Sequence, residues 1–216
     1  MMTENTRIKV LLADDHAVVR AGYQMLLKKS EDIEVIAEAE TGELAVRAYT
    51  EHQPDVVVID LSMPGMGGLE AIRRIMARDA NARILVFSMH EDTVFVEQAL
   101  NVGARGYITK SSAPETLLEG IRKIHAGHSY LDSEIAQRLA IQKTRDKDTP
   151  FSNLSTREFE IFCLLAEGLN NSEIAKRLSL CYKTVANYST QIKNKLEVTT
   201  ITEVARLAIR HNIVKA

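Results

Sequence analysis

Short β-branched runs alternate with amphipathic stretches over roughly the first 125 residues, and the alternation is regular. Five strands are expected, Lys9 to Ala13, Ile33 to Ala39, Asp55 to Asp60, Arg83 to Ser88 and Gly106 to Thr109, each followed by a helical pattern. Strands that alternate with helices imply a parallel sheet, because each return to the same edge needs a crossover. Val56-Val57-Val58-Ile59 is apolar without a period of two, as a central strand covered on both faces requires.

Asp132 to Ala140 reads as a short connector helix with Ile135, Ala136 and Leu139 on one face. Between Ile141 and Leu154 the chain turns polar and charge-mixed, with Pro150 and the single apolar residue Phe151, and is read as a linker. Beyond it the pattern is helical throughout. Ser155-Thr156-Arg157-Glu158 has capping-box spacing and opens a helix carrying Phe159, Phe162, Cys163 and Ala166 on one face, ending at Gly168. Ser172 to Leu178, Tyr182 to Leu196 and about Thr200 to His211 complete four short helices, the middle two joined by the tight Ser179-Leu180-Cys181 turn of a helix-turn-helix. The fold class expected is a doubly wound five-stranded parallel α/β domain over 6–128, a connector helix and linker over 129–153, and an all-α domain over 154–216.

Composition adds an ordinary globular balance, 45% hydrophobic and 26% charged, which excludes a largely disordered chain. The longest uninterrupted apolar run, Ile161 to Ala166, is far short of the roughly 18 residues of a membrane span, and the N-terminus lacks the pattern of a signal peptide. A cytoplasmic protein with no membrane partner is expected. Cys163 and Cys181 have no neighbours at metal-ligand spacing and are read as reduced thiols.

In an open parallel sheet, function gathers at the carboxyl edge of the strands, near the point where strand order reverses. Those strand ends carry Asp14 and Asp15, then Asp60, then Ser88, then Lys110. Paired carboxylates hold a hard divalent cation, preferably Mg²⁺, while a third can act as nucleophile toward a phosphoryl donor, with the cation and the ammonium neutralising phosphoryl charge. An Asp at a strand end is most often a solvated residue or a helix cap, so the signal lies in the whole constellation. His16, beside the acidic pair, is read as a surface residue rather than a ligand.

Three segments carry a resemblance: Val10-Leu11-Leu12-Ala13-Asp14-Asp15-His16, Val58-Ile59-Asp60-Leu61-Ser62-Met63-Pro64-Gly65-Met66-Gly67-Gly68, and Gly103-Ala104-Arg105-Gly106-Tyr107-Ile108-Thr109-Lys110. With the helical region, they resemble a two-component response regulator of the NarL/LuxR type over nearly the whole chain. The resemblance implies a flavodoxin-like receiver in which Asp60 accepts phosphate from a sensor histidine kinase. It implies Mg²⁺ held by Asp14, Asp15, Asp60 and the backbone carbonyl of Ser62. It also implies phosphoryl contacts from Ser88 and Lys110, and an aromatic switch at Tyr107 that turns inward with Ser88. Many receivers follow the Lys with a cis proline; here Ser111 follows Lys110.

Other chemistries fit less well. Gly65-Met66-Gly67-Gly68 opens a helix after a strand, but the third glycine of a dinucleotide fingerprint falls at Glu70. A Mg²⁺-dependent aspartyl phosphatase would place a second acid two residues after Asp60, where Ser62 stands. The protein is not expected to be an enzyme.

The net charge of −2 conceals a division. Residues 1–150 carry 18 basic and 23 acidic groups, and residues 151–216 carry 9 and 6. A module of net +3 suits a polyanion. On a helical wheel Val185, Ser189, Ile192 and Leu196 face inward, while Lys183, Asn187, Thr190 and Asn194 face out. That outer row suits base edges in a major groove, Asn187 pairing with adenine. Thr184, Tyr188, Gln191, Lys193 and Lys195 complete the expected contacts to double-stranded DNA. The same row would also serve as a solvated face, or for protein contacts only.

Leu154-Ser155-Thr156-Arg157-Glu158, Gly168-Leu169-Asn170-Asn171-Ser172-Glu173-Ile174-Ala175 and Lys183-Thr184-Val185 resemble the LuxR-type helix-turn-helix. Ala186 stands where Lys is usual and Tyr188 where His is common. Cys181 replaces a capping Ser or Thr and is read as a small buried thiol. The last helix, with Ile201, Val204, Ala205 and Ala208, resembles the contact through which a phosphorylated homodimer binds an inverted-repeat promoter site; core packing is the alternative.

Overall fold

The computed structural model describes residues 7–145 and 150–214. Six strands lie parallel in the order β2-β1-β3-β4-β5-β6. They are β1 (Ile8–Ala13), β2 (Ile33–Ala39), β3 (Val56–Ile59), β4 (Ile84–Ser88), β5 (Gly106–Thr109) and β6 (Tyr130–Leu131). The helices between them are α1 (Ala17–Lys28), α2 (Gly42–His52), α3 (Gly68–Arg78), α4 (Thr93–Asn101) and α5 (Pro114–His125).

The expected five-stranded sheet therefore gains a sixth strand. β6 is two residues long, too short to show a period, and pairs with β5 through Gly106↔Tyr130 and Tyr107↔Leu131. Gly106 permits that approach, since a Cβ there would meet the Tyr130 carbonyl oxygen at 2.6 Å. Val56 to Ile59 are at most 1% exposed, in keeping with a strand covered on both sides. Strand order reverses between β1 and β3, so their carboxyl ends open side by side at the switch point. Val10, Leu12, Val58, Leu85 and Ile108 pack with Leu117, Ile121 and Ile124 of α5 in one buried cluster.

The chain divides into two compact units, Met1–Glu91 with Ala99–Gln137, and Asp92–Gln98 with Arg138–Ala216. Within the second unit the Phe95 ring lies 5.2 Å from that of Phe159. The connector helix α6 runs over Ser133–Arg145, longer than expected. Four helices follow, α7 (Thr156–Ala166), α8 (Asn171–Arg177), α9 (Tyr182–Lys195) and α10 (Ile201–Arg210).

Phe151, expected in the linker, is fully buried, its ring 4.9 Å from Phe162 and 5.1 Å from His211. A lone aromatic in a polar segment has no periodicity to show that it is a core anchor. Phe159, Ile174, Val185, Ile192, Val204 and Ala208 share this buried set. The capping box at α7 is present: the Ser155 amide donates to Glu158 Oε2 at 2.7 Å, and the Glu158 amide to Ser155 Oγ at 3.4 Å. Lys195 donates to the same Glu158 oxygen at 2.6 Å, joining the end of α9 to the start of α7.

Burial pushes the Glu158 carboxyl up, but the bonds from Lys195 and Ser155 outweigh it and hold the group below its ordinary range. Its stabilising contribution is therefore present above the unfolded value of about 4.3 and lost as pH falls through the lower folded value. Glu158→Gln should lower the stability of this unit by about 1–2 kcal/mol at pH 7 and flatten its acid dependence, read from hydrogen-exchange protection of α7 amides.

Candidate functional site

Backbone hydrogen bonds carry the sheet one residue past its strands and so place the acidic groups. The amide of Asp14 donates to Ala39, that of Asp60 to Ala13, and that of Lys110 to Ser88, at 2.8–2.9 Å. Each of these residues follows its strand at the carboxyl edge. Asp14 is 3% and Asp60 2% exposed, and Ser88 is fully buried.

Lys110 Nζ reaches Asp14 Oδ2 at 2.6 Å and Asp60 Oδ2 at 2.7 Å. Burial alone would push its pKa down, but the Asp60 and Asp14 carboxylates outweigh that and hold the ammonium above its ordinary range. One cation faces three carboxylates, since Asp15 stands beside Asp14, so the site retains negative charge.

Asp14 Oδ1 accepts from the His16 amide at 2.9 Å, and its carbonyl from Arg20 Nη1 at 2.6 Å. Asp60 Oδ1 accepts from the Ser62 amide at 3.3 Å. Asp15 differs: its Oδ1 is buried without a hydrogen bond, although His16 Nδ1 lies 2.9 Å away. Both statements hold, because proximity alone lacks the direction of a hydrogen bond. Ligand atoms of Asp14, Asp15, His16 and Asp60 all lie within 4.8 Å of one another. A buried carboxylate oxygen without a donor, among three carboxylates facing one ammonium, fits a hard divalent cation.

Tyr107 is fully buried and donates from its hydroxyl to the His90 carbonyl at 2.8 Å, so the ring already points inward. The His90 amide donates to Ser88 Oγ at 3.4 Å, and its ring Nε2 lies 2.9 Å from Ser62 Oγ. His90 thus joins three residues expected at the site, yet it was not singled out. Its position two residues beyond Ser88 was the available signal. Burial holds its imidazole below the ordinary range.

Gly65-Met66-Gly67-Gly68 proves to be a backbone device. Gly67 has φ 74°, and a Cβ on Gly68 would overlap the Asp60 carbonyl oxygen. The described peptide bonds are trans, Lys110–Ser111 included.

On the second unit, Lys183, Asn187, Thr190, Gln191 and Asn194 are exposed along α9, while Thr184, Tyr188 and Lys193 are half-buried. Val185, Ser189 and Ile192 are buried beneath them, Ser189 Oγ donating to Asn171 Oδ1 at 2.9 Å. Leu196, expected inward, is half-buried at the helix end. Lys195 donates to Glu158 and to the Asn153 carbonyl while its side chain stays 41% exposed. Two expectations need correction. Val204 and Ala208 are fully buried within their own unit and cannot present a dimer surface; Ile201 is 44% exposed and Ala205 half-buried. Cys181 is exposed rather than buried, and a hydrogen bond with Thr184 Oγ1 at 3.0 Å holds its thiol below the ordinary range.

Comparison with known proteins agrees with this geometry. The model of the response regulator receiver domain matches residues 10–122, and that of bacterial regulatory proteins, luxR family, matches residues 152–208. Response regulator UvrY of Escherichia coli K12 is 38% identical over 211 residues, 97% of each chain. The crystal structure of a LuxR-family two-component response regulator from Aurantimonas sp. SI85-9A1 is 42% identical, covers 65% of this chain and all of that one, and has a TM-score of 0.63. RcsB of Salmonella enterica serovar Typhimurium, bound to promoter rprA with the phosphomimetic BeF3-, is 25% identical over 94% of this chain and 98% of that one, with a TM-score of 0.69.

The chain belongs to the response regulators that join a receiver domain to a LuxR-type DNA-binding domain. It is a phosphorylation-dependent, DNA-binding regulator of transcription.

Removing the lysine would leave two buried carboxylates facing each other. Lys110→Met should therefore destabilise the receiver by about 3 kcal/mol or more, and Asp60→Asn in the same chain should recover part of the loss. Urea midpoints of the two variants against wild type read both effects.

Proposed function

We propose that Asp60 is the phosphoacceptor and that Asp14, Asp15, Asp60 and the Ser62 carbonyl hold Mg²⁺ beside it. The observation that carries this reading is the buried triad of Asp14, Lys110 and Asp60 at the switch point of the sheet. A sensor histidine kinase presents a phosphohistidine. An Asp60 carboxylate oxygen attacks phosphorus, the O–P bond forms as the P–N bond breaks, and the imidazole leaves with a proton. Bound Mg²⁺ would neutralise charge on the phosphoryl oxygens.

Lys110, already 2.7 Å from Asp60, turns its ammonium to the same oxygens. The Ser88 hydroxyl becomes a phosphoryl donor by leaving its long 3.4 Å contact with the His90 amide. Tyr107 stays inward and keeps the His90 segment in the matching position. Thr190 donates its hydroxyl to the Ala186 carbonyl at 3.1 Å and offers the groove its oxygen. Asn187 reads one base pair, while Lys183, Thr184, Tyr188, Gln191, Lys193 and Asn194 face other bases and the backbone. The active species is a homodimer on an inverted-repeat site in the cytoplasm, joined through the exposed side of α10 around Ile201 and Ala205. The receiver extends to Leu131, where β6 completes its sheet, and the DNA-binding domain starts at Phe151, whose ring lies against Phe162.

Acetyl phosphate with Mg²⁺ should label the wild type once per chain and fail to label Asp60→Ala, as intact mass spectrometry would read. Equal labelling of both would contradict the assignment. Asn187→Ala should cost about 1–3 kcal/mol at one base position of a selected DNA site, whereas uniform weakening at every sequence would make it a backbone contact.

A further inference from the structure

We propose that His16 is a further ligand of the cation site, a nitrogen donor that tunes it toward later first-row transition ions such as Co²⁺. The proposal rests on the reading that Asp14, Asp15 and Asp60 hold a divalent cation. His16 Nδ1 lies 2.9 Å from Asp15 Oδ1 and 3.4 Å from Asp14 Oδ1, within the span of 4.8 Å that contains all four candidate ligand atoms. Around a cation with bonds of about 2.0–2.2 Å, ligand atoms stand about 3 Å apart when adjacent and about 4.2 Å when opposite. The ring nitrogen therefore sits at the spacing of a neighbouring ligand.

Three features of this chain leave the ring available. His16 holds the N-cap position of α1, yet its side chain makes no capping hydrogen bond. Its backbone is pinned to the site by the bond from its amide to Asp14 Oδ1. The side chain is 62% exposed, so the imidazole can turn toward a cation without repacking anything. Arg20, the nearest guanidinium on α1, is occupied by the Asp14 carbonyl and by Glu38 and leaves the carboxylate oxygens open.

Oxygen ligands suit Mg²⁺, which keeps its waters and gains little from imidazole, whereas imidazole suits the later first-row ions. Asp15 Oδ1, buried and without a hydrogen bond, is then shared between the cation and the ring's near edge. The competing account is an ion pair of His16 with Asp15, in which the ring opposes a cation. The two accounts predict opposite signs on removing the ring.

Calorimetric titration of the full chain with CoCl₂ and with MgCl₂ separates them, alongside pulsed EPR of bound Mn²⁺ for coupling to a ligand ¹⁴N. His16→Ala should lower the ratio of Co²⁺ to Mg²⁺ affinity at least about tenfold and abolish the nitrogen coupling seen in wild type. Binding of both ions with an unchanged or raised ratio, or wild-type Mn²⁺ without nitrogen coupling, overturns the role of His16 and leaves the cation site standing. Binding of neither ion by the folded wild type overturns both.

Discussion

The buried ammonium of Lys110 between Asp14 and Asp60 is the constraint on which the receiver depends. Three ionised groups almost without solvent are costly to keep, and they persist only because each satisfies the others. The sheet meets that condition by ending β1, β3 and β5 at one edge, with the strand order reversing beside it. Asp15 adds a further carboxylate with an unbonded buried oxygen, so the cluster is compensated only in part. That residual charge suits the cluster to a hard divalent cation.

At the same edge His90 accepts from Tyr107, donates to Ser88 and meets Ser62 through its ring, so one residue ties three positions of the site together. The second unit is organised on the same economy. Glu158 caps α7 and also receives Lys195, so one carboxylate locks the start of the unit to the end of its exposed helix.

The strands and helices of the receiver were legible because burial on two faces writes continuous apolar runs and amphipathic periods into the chain. Asp14, Asp60, Ser88 and Lys110 were legible for a related reason, since each sits where a run stops. What escaped was whatever depends on contacts between distant segments. β6 is too short for a period, Phe151 is one ring in a polar stretch, and His90 acts largely through its backbone. The ion pair of Lys195 escaped because its partner Glu158 lies 37 residues away. α10 misled differently: a helix of one apolar face says that the face is covered, but not whether by its own unit or by a second chain.

The central claim is that occupancy at Asp60 governs DNA binding by the other unit. Its most direct test is the affinity of the full chain for a selected inverted-repeat site, with and without BeF3- and Mg²⁺, at one fixed salt concentration. The account predicts tighter binding with BeF3- and no such gain in Asp60→Ala. Equal affinities in wild type, with ¹⁹F NMR showing BeF3- bound at Asp60, would contradict it.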